Sequence, residues 1–390
     1  MDSVRVELTR RAMAEAGLEA LIVRLPENVL PLSGHWPLVG ASFLYFPAVG
    51  RALCVVPHCD EKEAREELWE AECVSYLSGV LGAGDPYEEI RKALRRVIGG
   101  GRPSRVGCEG GFESVAPAWN AAEGAVPAAA TRALLAAVAG EEALTDATAL
   151  LCDLRSRKTP LEQEKLRRVN EIAAMGLEAF ADKVDIGVSG VELVACVEEA
   201  VLLKGTGHRG ARRVRAFAQV STGPEESLAG FRPMVISTRR KLDSGDIALL
   251  ELGVVADGFW SDRTRVRVAG TPTALQREVF EVVRRAGQAA VAAAGPGATC
   301  GAVDEAARRV VREAGYGKEF LHVTGHGVGL RYHEPVPLVC PGSAARLEPG
   351  MVHSVEPGIY REGFGGMRLE DDVLVTPDGV EVLGLSPMSL

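Results

Sequence analysis

Histidine is scarce in this chain: seven in 390 residues, with none between His208 and His322. Paired cysteine spacing is missing altogether. The eight cysteines (54, 59, 73, 108, 152, 196, 300 and 340) are scattered without a CxxC, which excludes a zinc ribbon and a disulfide framework and leaves reduced thiols in a cytoplasmic protein as the expectation. No apolar run reaches the ~18 residues that a membrane span requires. Residues 2–17 are charged and amphipathic rather than a secretory leader. A basic excess is also lacking: 44 Lys and Arg stand against 53 Asp and Glu, a net charge of −9. Nucleic acid and membrane are therefore not expected partners. The cluster Arg209, Arg212, Arg213 and Arg215 is local and reads as a solvated or subunit-contacting patch.

What is present is enough chain for two domains, with 47% hydrophobic and 25% charged residues, ordinary values for a globular protein. Asp2 to Gly17 suits an amphipathic helix closed by a glycine. Short apolar runs at 20–23, 42–46 and 52–56, bounded by Pro, Gly and Asn, predict strands; 106–108 predicts another, and helices are expected near 60–69 and 86–98. This alternation gives an α/β domain over 1–150, whose two histidines, His35 and His58, read as loop or capping residues. Ser156 to Pro160 reads as a connection. From 151 to 390 the pattern changes to long helices (161–182, 190–204, 273–294, 302–314) interleaved with strand pairs (214–221, 246–268, 351–356, 367–375), an α+β domain.

The most informative stretch is Leu249 to Arg265. Asp257-Gly258 supplies the pair that a two-residue hairpin turn needs. A turn there sets Gly253 opposite Asp262, so Glu251 lies on the same face as Asp262, on the diagonal, roughly 7–8 Å away at the backbone. Two acids inclined toward each other can hold cations; alone, they would also suit a solvated hairpin face with Arg263 or Arg265 nearby.

Three downstream segments bear on that choice. His322 to Pro335 carries His322, His326 and His333 among glycines that let a ligand approach the backbone. Met351 to Gly358 ends an apolar strand on Glu356. In Gly366 to Val373, Arg368, Glu370 and Asp372 share one strand face. Each acid, taken singly, reads as a strand end facing water. Together, one histidine and four carboxylates make an oxygen-rich set suited to Mn, Fe, Co or Zn. Bridging carboxylates would allow two ions roughly 3.5–4 Å apart, activating a water for attack, with a carboxylate as its proton acceptor.

These segments resemble the pita-bread metallopeptidase family, in its aminopeptidase P/prolidase branch. The matched motifs are Gly258-Phe-Trp-Ser-Asp-Arg-Thr-Arg265, Gly325-His-Gly-Val-Gly-Leu330, Leu347 to Val352 running into Val355-Glu-Pro-Gly358, and Gly366-Met-Arg-Leu-Glu-Asp371. The resemblance implies a creatinase-like N-terminal domain ahead of a pita-bread catalytic domain. It places Glu251, Asp262, His326, Glu356 and Glu370 as ligands of two divalent ions, with Asp262 and Glu370 bridging. Glu356 would also assist the attacking water, His333 would contact the substrate carbonyl, His322 would be a second substrate-side histidine, and Arg368 would support Glu370. It further implies a homodimer acting on small peptides, as an Xaa-Pro aminopeptidase or dipeptidase.

Two positions depart from the family pattern. Glu251 stands where Asp is usual; the longer side chain can still reach, change denticity or leave a single-metal site. Gly230 aligns with a histidine that helps hold the scissile amide, a loss of the kind that costs a factor of about 10² or more in rate. The sequence therefore also allows family members with other chemistry, acting on a small amidino, amide or betaine-like metabolite, and a non-catalytic binding protein.

Overall fold

Asp2 accepts a hydrogen bond from the Arg5 amide and starts the first helix, α1 (Ser3–Glu15), and Gly17, at φ 64°, turns the chain out of it. The structure, a computed structural model, describes residues 2–37, 41–78, 80, 82–98, 103–111, 129–232, 236–386 and 388–390. They divide into two compact units, Met1–Arg155 and Ser156–Leu390.

In the first unit α1 is followed by β1 (Ala20–Val23), α2 (Pro26–Ser33), β2 (Phe43–Pro47), β3 (Ala52–Pro57), α3 (Glu61–Glu67), β4 (Ala71–Tyr76), α4 (Pro86–Ile98), β5 (Val106–Cys108), α5 (Ala129–Ala139), β6 (Leu144–Asp146) and α6 (Thr148–Ser156). The strands form one mixed sheet in the order β4-β3-β2-β1-β5-β6. Its central strands are apolar on both faces because each face buries a core: Ile22, Phe43 and Val55 pack with Ile90 and Leu94 of α4 on one side, while Leu21, Leu44 and Cys54 pack with Met13 and Val29 on the other. That double burial is what a continuous apolar run signals. β4, α2, α5 and α6 escape the sequence reading. β4 carries Glu72 and Ser75 on opposite faces at the sheet edge, so its sequence does not alternate, and α5 lies in an Ala-rich stretch without punctuation.

His35 is held in this unit as an ion-pair centre rather than as a simple loop residue. It is fully buried, with Nδ1 2.8 Å from Glu67 Oε2 and Nε2 3.2 Å from Asp60 Oδ2. Burial lowers its pKa, but the hydrogen bonds and charges of Asp60 and Glu67 outweigh burial and leave it raised. A histidine raised above its unfolded value of about 6.5 contributes stability that is complete below that value and disappears as pH climbs through the folded one. H35Q protein should therefore lose about 1.5–3 kcal/mol in mildly acidic buffer, and the deficit should shrink as pH rises. Urea denaturation of the full chain over a pH series measures it. A deficit independent of pH would show that the imidazolium is not the stabilising species.

The second unit runs α7 (Pro160–Lys183), α8 (Gly190–Gly205), β7 (Val214–Thr222), α9 (Gly223–Leu228), β8 (Ile247–Ala256), β9 (Phe259–Val268), α10 (Ala274–Ala293), α11 (Cys300–Glu313), β10 (Gly325–Gly327), β11 (Glu334–Val339), β12 (Val352–Val355), β13 (Gly358–Arg361), β14 (Gly365–Arg368), β15 (Asp371–Thr376) and β16 (Gly379–Val382). α7 opens on a capping box: the Glu162 amide donates to Thr159 Oγ1, and the Thr159 amide donates to Glu162 Oε2, with Pro160 at the first turn. Both exchanges satisfy amides that a helix start leaves free. Leu166, Val169, Ile172, Ala173, Leu177 and Phe180 then recur at helical spacing on its buried face. Three antiparallel sheets result: β7-β8-β9, β11-β10-β12-β15-β16 and the pair β13-β14. Ile247, Val266, Val355 and Val373 from the sheets share one core with Val279, Val283, Val303 and Val311 of α10 and α11. All eight cysteines are free, four of them buried and Cys59 exposed. No helix among the described residues is long and apolar enough to cross a membrane.

Candidate metal centre

The β8–β9 hairpin turns on Asp257 (φ 49°) and Gly258 (φ 87°). Positive φ at both central residues gives the turn whose twist matches the flanking strands. Asp257 is fixed by the Arg213 amide at 2.9 Å and by Arg168 Nη2 at 2.8 Å. The register puts Gly253 opposite Asp262 and Glu251 opposite Thr264, so Glu251 and Asp262 lie diagonally on one face. That face is interior, not solvated: both acids are buried. Arg263 and Arg265 point the other way and are buried as well, both bonded to Asp371.

His326 arrives on β10, pressed between β11 and β12. A Cβ at Gly325 would lie 2.0 Å from Ser354 O, and one at Gly327 would lie 2.3 Å from Val336 O. Only glycine lets the strand sit there, which is the physical content of the Gly-His-Gly motif. His326 Nδ1 donates to Gly327 O at 3.0 Å. Its Nε2 is left facing Asp262 Oδ2 at 3.4 Å and Glu356 Oε1 at 3.5 Å. Glu356 follows β12, its amide bonded to Thr324 O at 2.8 Å, and its Oε1 receives Ser354 Oγ at 3.2 Å. Glu370 bridges to Thr264 between β14 and β15. Thr264 Oγ1 donates to Glu370 Oε2 at 2.6 Å, while Glu370 Oε1 is buried with no hydrogen-bond partner.

The histidines of the same segment complete the wall. The His333 ring lies 4.2 Å from that of His326, with Nε2 3.7 Å from Asp262 Oδ2. His322 Nδ1 donates to Val323 O at 2.8 Å, its Nε2 faces the Tyr360 hydroxyl at 3.1 Å, and its ring lies 3.9 Å from Glu356 Oε2. The structure thus brings Glu251, Asp262, His322, His326, His333, Glu356 and Glu370 to one site.

Several partners were not visible in the sequence. The Tyr332 hydroxyl lies 2.9 Å from both Glu251 Oε1 and Asp262 Oδ1. Arg368, expected beside Glu370, is 3.9 Å from that carboxylate and instead donates from Nη2 to Glu251 Oε2 at 2.7 Å. Its Nη1 holds Gly230 O at 2.8 Å, which places Gly230 at the edge of the site. The Asp262 amide donates to Asp372 Oδ2, which Asn170 also holds. Spacing marks each of these as polar residues near the motifs, but the contacts join strands distant in the chain.

Burial dominates the electrostatics. Together with the charges of Glu251 and Glu356, it pushes the Asp262 carboxyl up to about 6 against the pull of His326. Glu370 is raised well above the usual carboxylate range by burial and by Asp262 and Glu356. Burial lowers His326, yet Asp262 and Glu356 bring it up to about 9. His333, desolvated and beside His326, falls to about 2 and is neutral.

A divalent cation fits this chemistry. Two overlapping sets, Asp262/His326/His333 and His326/Glu356/Glu370, have ligand atoms within 4.8 Å of one another. Burial and the neighbouring acids raise the Asp262 and Glu370 carboxyls, Glu370 Oε1, without a hydrogen-bond partner, is open to an ion, and carboxylate plus imidazole suits Mn, Fe, Co or Zn.

Residues 164–377 match metallopeptidase family M24, and residues 5–157 match the creatinase/prolidase N-terminal domain. An Xaa-Pro dipeptidase of Pyrococcus furiosus is 36% identical over 231 residues, 59% of this chain and 64% of its own. One from Lactobacillus helveticus is 30% identical over 324 residues, 83% of this chain and 80% of its own. The crystal structure of the prolidase from Pyrococcus horikoshii superposes with a TM-score of 0.81 at 26% identity, covering 100% of both chains. The expected creatinase-like α/β domain followed by a pita-bread α+β domain is therefore the fold. The chain belongs to metallopeptidase family M24.

Proposed function

We propose that the chain is a metal-dependent Xaa-Pro dipeptidase or aminopeptidase whose metal ligands come from Glu251, Asp262, His326, Glu356 and Glu370. One observation carries this reading: His326 Nε2 faces the buried Asp262 at 3.4 Å and the partly buried Glu356 at 3.5 Å, its other nitrogen already committed to a carbonyl. The two related Xaa-Pro dipeptidases and the solved prolidase support the substrate class. Bound there, divalent Mn, Co, Fe or Zn supplies Lewis-acid polarisation of a carbonyl and a water acidic enough to attack near neutral pH. Two ions would need all five of these donors, Glu251 included.

The chain's own residues do the remaining work. Glu356 accepts the proton of the attacking water, its Oε1 oriented by the Ser354 hydroxyl. His333, neutral and close to Asp262, presents its ring to the substrate carbonyl. His322, braced by Val323 O and the Tyr360 hydroxyl, forms the substrate side beside Glu356. In this reading residues 151–390 are the catalytic domain and 1–150 the N-terminal one. A homodimer follows from the resemblance, and a cytoplasmic setting agrees with eight free thiols.

Purified protein loaded with Mn(II) or Co(II) should hydrolyse Xaa-Pro dipeptides or tripeptides and stop when the metal is chelated. A loaded protein that cleaves neither class would sink the reading.

A further inference from the structure

The site is lopsided. On the His326 side, donors are open: His326 Nε2 faces Asp262 and Glu356, and Glu370 Oε1 is buried without a partner. On the Glu251 side they are taken. Glu251 Oε2 receives Arg368 Nη2 at 2.7 Å, and Glu251 Oε1 shares the Tyr332 hydroxyl with Asp262 Oδ1, each at 2.9 Å.

We propose that this chain holds a single divalent ion, on the His326 side of the site, because Tyr332 and Arg368 close the Glu251 side. The inference rests on the metal-site reading above and narrows it: of the five expected ligands, Glu251 is engaged by Arg368 and Tyr332 instead of the ion.

Three physical points support it. First, an ion held jointly by Glu251 and Asp262 needs their oxygens at about 2.0–2.2 Å, yet these two oxygens have a buried phenolic hydroxyl between them. Second, Arg368 is itself buried and donates to Glu251, Thr264 Oγ1, Gly230 O and the Tyr360 hydroxyl. A guanidinium engaged on that many fixed acceptors neutralises Glu251 in place and cannot swing away without leaving a buried charge unpaired. Third, both candidate ligand sets among the described residues centre on His326, and neither includes Glu251. The longer side chain at 251 thus reaches a guanidinium and a hydroxyl, acting as a positioning residue that holds Arg368 and Tyr332 against the metal site.

Metal content tests this directly. Wild-type protein, saturated with Co(II) or Mn(II) and freed of loose metal by gel filtration, should carry one ion per chain by elemental analysis. Y332F removes only the hydroxyl and leaves Arg368 on Glu251; it should retain its one ion. E251Q should still carry one ion. Two retained ions in the wild type, no retained ion, or loss of the ion in E251Q or in Y332F would each overturn the proposal. Peptide turnover is a separate readout. A one-ion protein that cleaves no Xaa-Pro peptide removes the substrate reading and leaves this inference standing, whereas a two-ion protein that cleaves them does the reverse.

Discussion

Glu370→Gln should lower turnover of the metal-loaded protein by about 10³-fold, while the fold stays as stable as before or becomes more so. The side chain keeps its volume and its contact with Thr264, so no cavity opens. What is lost is one negative charge in a buried cluster and a buried carboxylate oxygen that has no hydrogen-bond partner. Burial and the charges of Asp262 and Glu356 raise this carboxyl well above its unfolded range. A carboxyl raised on folding costs stability once pH exceeds its unfolded value of about 4.3, and the cost grows as pH rises toward the folded value. Protein stripped by a chelator should therefore melt at lower temperature at neutral than at mildly acidic pH, and E370Q should flatten that slope. Activity lost while stability is kept is the mark of a residue retained for chemistry rather than for folding. Turnover within about tenfold of wild type, or a stripped E370Q protein that melts well below wild type, would remove Glu370 from the ligand set.

How much of this was legible depends on the range of the interaction. The hairpin could be read because both of its determinants are local: Asp257-Gly258 sets the turn, and counting back from it sets the diagonal of Glu251 and Asp262. α4 could be bounded at Pro86–Ile98 because proline and apolar spacing mark it. The Gly-His-Gly segment could be seen as a close-approach site, though not what it approaches. Alternation along β9 fixes which residues share a face but not what covers it. Arg263 and Arg265 looked like the partners of a solvated hairpin, and the structure gives them a buried carboxylate more than a hundred residues on. Tyr332, and the bond from Arg368 to Glu251, escaped for the same reason: each side chain meets Glu251 from outside its own hairpin, and nothing in local spacing encodes that meeting. The side chains that close the site are thus the ones whose partners are set by tertiary packing alone.

The arginine behind the site should matter as much to stability as the acids in front of it do to activity. Arg263 is fully buried. It donates from Nη1 to Asn170 Oδ1, Leu383 O and Gly384 O, and from Nη2 to Asp371 Oδ1 and Ser386 Oγ. Burial pushes the Asp371 carboxyl up, but Arg263 and Arg265 more than reverse it and keep it ionised. Arg263→Met keeps most of the volume while stranding three carbonyl groups and leaving Asp371 to Arg265 alone. Breaking a buried pair by removing one partner costs about 3–5 kcal/mol, and the same loss is expected here, read as a lower urea midpoint of the full chain. Arg263→Lys should recover little of it, because an ammonium cannot span acceptors arranged for a planar fork. Asp371 sits between Glu370 and Asp372, which orient the front of the site, so R263M protein that remains folded should also lose metal affinity. A cost below about 1 kcal/mol, in the range of surface pairs, would mean that the second unit's C-terminal segment is held by its apolar contacts and that this buried pairing is incidental to the fold.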